Sequence, residues 1–165
     1  MLVTIVLTIL GCILLFMMIL VATLTMPFSA LVKNFPEDVQ YSLQPRLKAL
    51  SMSPKRVVGG ILVIVIMIAW VSLFIIGGIN GRTEGFGYTE HLIRLLVIGL
   101  GVKAFDILCL DYILLTKTKF FQYFFPETEG CRGWKQFGYN RKQQIRQTIV
   151  VIISCFIGAW IFTKA

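Results

Sequence analysis

The N-terminal stretch between residues 2 and 24 reads LVTIVLTILGCILLFMMILVATL, and it decides the class of fold. It contains no charged side chain, and its few polar groups are threonine hydroxyls and one thiol. A helix that crosses the hydrocarbon core of a bilayer needs about 20 apolar residues, because no backbone amide can stay unpaired in lipid. The stretch therefore predicts a transmembrane helix.

Three more stretches reach or approach the same length. Residues 57–79 are also uncharged, residues 92–115 contain four charged side chains, and residues 148–163 form the shortest of the four stretches. A soluble four-helix bundle would need a polar face on each helix, and the first two stretches have none. We therefore predict an all-α, polytopic membrane protein in which residues 1–165 form one membrane domain with four transmembrane helices.

The composition of the whole chain agrees with this fold class. Of 165 residues, 57% are apolar and 15% are charged, whereas a soluble domain is nearer to half apolar and a quarter charged. The net charge of +8 would suggest nucleic acid in a soluble protein. Here the basic residues are split between two short loops instead of forming one basic face, so no nucleic-acid partner is expected.

The basic residues also predict the orientation of the spans. Twelve of the 16 Lys and Arg residues fall in the two loops 25–56 and 116–147. They are Lys33, Arg46, Lys48, Lys55, Arg56, Lys117, Lys119, Arg132, Lys135, Arg141, Lys142 and Arg146. Short loops rich in Lys and Arg stay in the cytoplasm, so both loops are predicted to be cytoplasmic and both termini to lie on the outer side. Anionic lipid headgroups at the cytoplasmic face are the expected lipid partners.

The third predicted span carries ionisable side chains inside the hydrocarbon zone. A charge at the centre of a span costs about 2.5 to 3.5 kcal/mol and usually faces protein or water. Lys103 and Asp106 are i,i+3 and can pair, whereas on a straight α-helix Asp111 lies about 140° around the axis from Asp106. One hypothesis is an ion or ligand site formed by Lys103 and Asp106, with Asp111 at its cytoplasmic mouth. The alternative is a structural ion pair that sets helix register or a subunit contact.

The second basic loop is crowded with aromatic rings between residues 120 and 139. Rings beside basic side chains are typical of the headgroup level of a membrane. The alternative is a surface that docks a partner or a lipid headgroup. Residues 126–130 favour it, because two acids and a predicted turn interrupt the run of aromatic residues there. The residues predicted for such a surface are Glu127, Glu129, Arg132, Trp134 and Lys135.

Metal and cofactor chemistry finds little support in the sequence. The four cysteines form no CxxC pair, and one histidine cannot complete a Cys/His zinc site. His91 is predicted to lie at a solvated helix start with Thr89 as N-cap. No cofactor, no metal ligand and no catalytic residue is expected.

Three short motifs in this chain are NFPEDVQ at 34–40, Phe105-Asp106 with Asp111-Tyr112, and FPETEG at 125–130 followed by Tyr139. Together they resemble a group of small bacterial integral membrane proteins of unassigned function. The resemblance implies four spans in the plasma (inner) membrane of a bacterium, draws attention to Asp106, Asp111, Pro126 and Glu129, and supplies no activity.

Three classes of function are compatible with these patterns. The first is ion or small-ligand binding or transport by a homo-oligomer with its site on the third span. The second is an accessory or scaffolding subunit that docks a membrane-protein partner through its cytoplasmic loops. The third is an enzyme that modifies lipid with Asp111, Glu127 and Glu129. It is ranked last, because a metal-dependent enzyme would normally bring several carboxylates or histidines together and the chain has few.

Overall fold

A computed structural model of the chain describes residues 1–25, 32–49 and 53–164, and all regular structure in these residues is helical. The all-α prediction is confirmed for the described part of the chain. The α-helices are α1 (Leu2–Thr25), α2 (Glu37–Ala49), α3 (Pro54–Thr83), α4 (Tyr88–Phe105), α5 (Phe120–Phe124) and α6 (Arg141–Lys164). A π-helix, here called the π segment, spans Asp106–Lys117, and two 3₁₀ turns cover Pro126–Thr128 and Arg132–Lys135.

Three of these helices, α1, α3 and α6, are long and apolar enough to cross a membrane. They contain the first, second and fourth predicted spans. Helix α1 ends one residue later than predicted, α3 begins three residues earlier and ends four later, and α6 begins seven residues earlier and ends one later. The third predicted span is a continuous helical rod made of α4 and the π segment. Parts of the first predicted cytoplasmic loop, residues 26–31 and 50–52, lie outside the described residues.

Helix α4 is the central element of the bundle, since it packs against α1, α3 and α6. Near the predicted outer end, Leu7, Leu73 and Ile98 form one small core between α1, α3 and α4. Leu95, Cys155 and Ala159 form a second core between α4 and α6. The other faces of α1, α3 and α6 carry exposed Ile, Leu, Val and Met side chains, as expected of helices that face lipid.

The two predicted cytoplasmic loops pack against each other below the bundle. Their shared core, here called the loop core, includes Phe121, which stacks on Trp134 with ring centroids 5.3 Å apart. Asp38 joins the two loops, because one carboxylate oxygen accepts from the amide of Val39 at 2.9 Å and the other from the amide of Gly133 at 2.8 Å. The members of the loop core are Val32, Val39, Leu43, Leu115, Phe121, Phe125 and Trp134.

The glycine at position 78 permits the closest approach between α3 and α6. A Cβ at Gly78 would lie 2.2 Å from the ring of Phe162, which itself stacks on His91. We expect Gly78→Ala to destabilise the protein by about 1 to 3 kcal/mol, because the ring cannot move without disturbing His91.

This expectation is checked by thermal unfolding in detergent against Gly158→Ala, whose Cβ would lie 3.1 Å from a flexible Leu95 methyl group. The control should be neutral or slightly stabilising, since alanine favours a helix over glycine. Equal unfolding midpoints for both variants would contradict the close α3–α6 contact.

Candidate functional site

The ion pair predicted on the third span is formed where α4 passes into the π segment. Lys103 Nζ donates to Asp106 Oδ2 at 2.7 Å and to Gln147 Oε1 of α6 at 2.7 Å. The side chain of Lys103 is 10% exposed and that of Asp106 is 20% exposed. Removal from water strengthens the attraction between the two charges and makes an unpaired charge costly.

Asp111 lies on the same side of the rod as Asp106, which differs from the straight-helix expectation. The reason is the π segment, whose hydrogen bonds run from residue i to residue i+5, so that residues 106 and 111 are about one turn apart. Asp111 Oδ2 accepts from Asn140 Nδ2 at 3.1 Å and also from the amide of Gln144. Both acids therefore line one cavity.

This cavity has a volume of about 670 Å³ and lies in the half of the bundle next to the loop core. Its walls are mainly apolar side chains, and its polar groups are concentrated on the π segment and on the first turns of α6. The volume falls within the range of about 300 to 1,000 Å³ that is typical of ligand pockets. Besides the two acids and Lys103, its lining includes Leu15, Met18, Val63, Met67, Trp70, Val102, Leu110, Gln143, Gln144, Arg146, Gln147 and Val150.

Two of the residues that line this cavity each have a buried polar side-chain atom without a hydrogen-bond partner among the described residues. These atoms are the indole nitrogen of Trp70, a donor, and the amide oxygen of Gln144, an acceptor. Buried polar groups in folded proteins are nearly always paired, so each such exception needs an explanation. A bound molecule in the cavity would provide one.

Three amide side chains at the start of α6 belong to this site and were not predicted from the sequence. Asn140, just before α6, and Gln144 and Gln147 within it bond to Asp111 and Lys103. Their spacing of i, i+4, i+7, which places them on one side of a helix, is visible in the sequence. It was missed because the fourth span was predicted to begin at residue 148, whereas α6 begins at Arg141.

At the loop end of the cavity, Tyr139 and Gln143 both bond to Asn34 of the first loop, and all three residues line the cavity. The hydroxyl of Tyr139 donates to the carbonyl of Asn34, and Gln143 Nε2 donates to Asn34 Oδ1 at 3.0 Å. Burial raises the pKa of Tyr139, and the charges of Asp111 and Asp106 act in the same direction. The hydroxyl therefore stays protonated, as its donor role requires.

The residues predicted for a docking surface are not all on the surface. Trp134 is 2% exposed in the loop core, and its indole N–H donates to Thr128 Oγ1 at 3.0 Å. Its ring therefore cannot contact a partner or a headgroup. Glu127, Glu129, Arg132 and Lys135 are exposed, and Glu127 pairs with Arg46 at 3.0 Å.

The aromatic loop is likewise divided between core and surface. The rings of Phe121, Phe125 and Trp134 are buried in protein, so a headgroup belt does not describe them. Tyr123 is 83% exposed and Phe137 is 54% exposed, and only such rings can reach lipid or a partner.

The first three residues of α4 are exposed, as expected of a solvated helix start, but His91 and Arg94 behind them are buried, contrary to that expectation. His91 is 0% exposed and lies against Phe86 and Phe162, and Gly87 takes the N-cap position in place of Thr89. Arg94 is held by Glu84 and Asn80, each at 2.8 Å. These hydrogen bonds hold Arg94 against the C-terminal end of α3, so Arg94 is buried between the two helices.

No group of three or more His, Cys, Asp or Glu side chains in the described ranges is arranged to hold a metal ion. Comparisons with family profiles, with curated proteins and with solved structures find no match to this chain.

Proposed function

We propose that this chain is a four-span membrane protein that binds a small polar ligand or an ion between its helices. The observation that carries the proposal is the shared cavity of Lys103, Asp106 and Asp111, which also contains buried polar atoms without partners. Ionisable groups inside a membrane usually serve a substrate, an ion or a proton. Transport of the bound species by a homo-oligomer is part of the proposal.

The packing of the α4–π rod against α1, α3 and α6 supports a four-span topology. Its buried charges are paired within the bundle, so a rod with charged side chains can cross a membrane beside α1, α3 and α6. With both basic loops in the cytoplasm, both termini lie on the outer side of the plasma (inner) membrane of a bacterium.

This topology predicts opposite labelling of two introduced cysteines. A cysteine at Thr89 should react with an impermeant maleimide added outside intact cells, and a cysteine at Glu129 should react only after the cells are opened. Both positions are exposed in the structure. Labelling of both residues from outside, or of Glu129 alone, would contradict the proposed orientation.

Ligand binding is tested by thermal unfolding of the purified protein against a panel of monovalent cations, alkylammonium ions and defined phospholipids. A ligand at a hundred times its Kd adds about 2.7 kcal/mol to the stability of the folded state. At least one of these three classes of ligand should stabilise the wild-type protein. The Asp106→Asn and Asp111→Asn variants should lose that stabilisation. Glu129→Gln is the matched control on an exposed acid.

If no class stabilises the protein, or if every variant responds equally, the site hypothesis is wrong. Transport is tested separately in vesicles that contain a dye for the ion or solute identified. Flux should depend on Asp106 and should be normal in Glu129→Gln.

A second candidate is an accessory subunit that docks a partner through its loops. The exposure of Tyr41, at 82%, and of Tyr123, at 83%, favours it, because large side chains this exposed are typical of contact surfaces. Replacing both with alanine should remove a co-purifying partner without disturbing the loop core. Retention of the partner by that variant would contradict docking at this surface.

A further inference from the structure

The cavity opens sideways between α3 and α6. These helices meet near the outer end, where Gly78 faces Phe162. Nearer to the loop core, Met67 of α3 and Val150 of α6 both line the cavity and remain 53% and 56% exposed. In a membrane, a gap between two spans that is bordered by apolar side chains opens to lipid and not to water.

The polarity of the cavity differs between its sides. The π segment and the start of α6 carry Asp111, Asn140 and Gln144 near the loops and the Lys103–Asp106 pair deeper in the bundle, while Leu15, Val63 and other apolar residues of α1 and α3 form the facing walls. A phospholipid of the cytoplasmic leaflet likewise combines a polar headgroup near the surface with apolar chains that reach toward the bilayer centre. The cavity therefore suits an amphipathic molecule that enters from that leaflet, with its headgroup beside the polar wall near the loops and its chains along the apolar walls.

The polar end favours a positively charged donor. Asp111 is held by two neutral amides, and it takes part in none of the ion pairs that join described residues. The amide oxygen of Gln144 is buried beside it without a donor. An ammonium group supplies three N–H donors and a positive charge, which would satisfy both acceptors.

One donor is placed for the phosphate of such a lipid. Arg146 lines the cavity and is exposed, so its guanidinium can reach a phosphate at the mouth.

We infer that the cavity binds an amine-bearing zwitterionic phospholipid, with its ammonium group on Asp111 and Gln144 and its chains leaving between Met67 and Val150. The inference rests on the ligand site proposed above and names the class of its ligand.

The test uses brominated acyl chains, which quench tryptophan fluorescence on contact. A Trp160→Phe background removes a lipid-facing ring that is 59% exposed and leaves Trp70 in the cavity and Trp134 in the loop core. Brominated phosphatidylethanolamine is titrated into the delipidated protein in detergent beside brominated phosphatidylglycerol with the same chains. Phosphoethanolamine, the soluble headgroup alone, serves as competitor.

Phosphatidylethanolamine is expected to quench Trp70 at a concentration roughly tenfold lower than phosphatidylglycerol, the factor that one extra charged hydrogen bond provides. Asp111→Asn should remove this preference, and Glu37→Gln, on an exposed acid outside the cavity lining, should keep it. Val150→Phe, which narrows the gap, should weaken quenching, whereas Ile153→Phe on an exposed position outside the cavity lining should not.

Two results would overturn the inference, and they differ in what they mean for the site. If both lipids quench equally while phosphoethanolamine or an alkylammonium ion binds in an Asp111-dependent way, the proposed site stands and its ligand is soluble. If neither lipid nor solute binds in an Asp111-dependent way, both the lipid inference and the proposed site are wrong.

Discussion

Replacing Lys103 with methionine is expected to lower the free energy of unfolding by about 3 kcal/mol, because the change leaves Asp106 buried without its cation. Gln147 loses its donor in the same variant, since Lys103 Nζ bonds to both residues at 2.7 Å. Unfolding by a denaturing detergent, followed by loss of helical signal, measures the effect.

The double variant Lys103→Met with Asp106→Leu separates a structural role from a functional one. Apolar replacements of similar volume often match or exceed a buried ion pair in stability, so the double variant should recover most of the loss. If the pair serves a ligand, the recovered protein should still fail to bind. A stable double variant with normal ligand binding would show that the pair only fixes the helices.

Trp134→Ala is expected to destabilise the protein by about 3 to 5 kcal/mol, as for other large buried aromatic side chains. The ring is 2% exposed, stacks on Phe121 and donates to Thr128, so its removal leaves a void and takes one hydrogen bond from the Thr128 hydroxyl. Protease sensitivity of the two loops and thermal unfolding measure the loss.

The matched control is Tyr123→Ala in the same loop, where the ring is 83% exposed. It should change stability by less than about 0.5 kcal/mol, as surface substitutions usually do. If the two variants were equally stable, the loop core would not exist as described and the aromatic residues would belong to the membrane surface.

Most of the architecture could be predicted from the sequence, because long apolar runs leave a helix in lipid as the only way to pair the backbone. The runs at 2–24 and 57–79 decided this, and α1 and α3 contain them. The pairing of Lys103 with Asp106 also followed from their i,i+3 spacing. These features depend on local periodicity alone.

The rest of the site depends on features without a local pattern. The shared position of Asp106 and Asp111 results from a π segment, and no residue type specifies that winding in the way that proline or glycine specifies a turn. The burial of His91 depends on Phe162, which lies 71 positions further along the chain. Burial of Trp134 likewise requires the first loop to fold over the second.

Native mass spectrometry of the tagged protein, extracted gently from its own membrane, tests the central claim most directly. The wild-type chain should carry one small molecule or lipid, alone or as a homo-oligomer, and the Asp111→Asn variant should lose it while remaining folded. An Asp111→Asn variant that keeps the bound molecule, or a wild-type chain with an empty cavity and a stoichiometric foreign protein, would contradict the claim that this cavity is a ligand site.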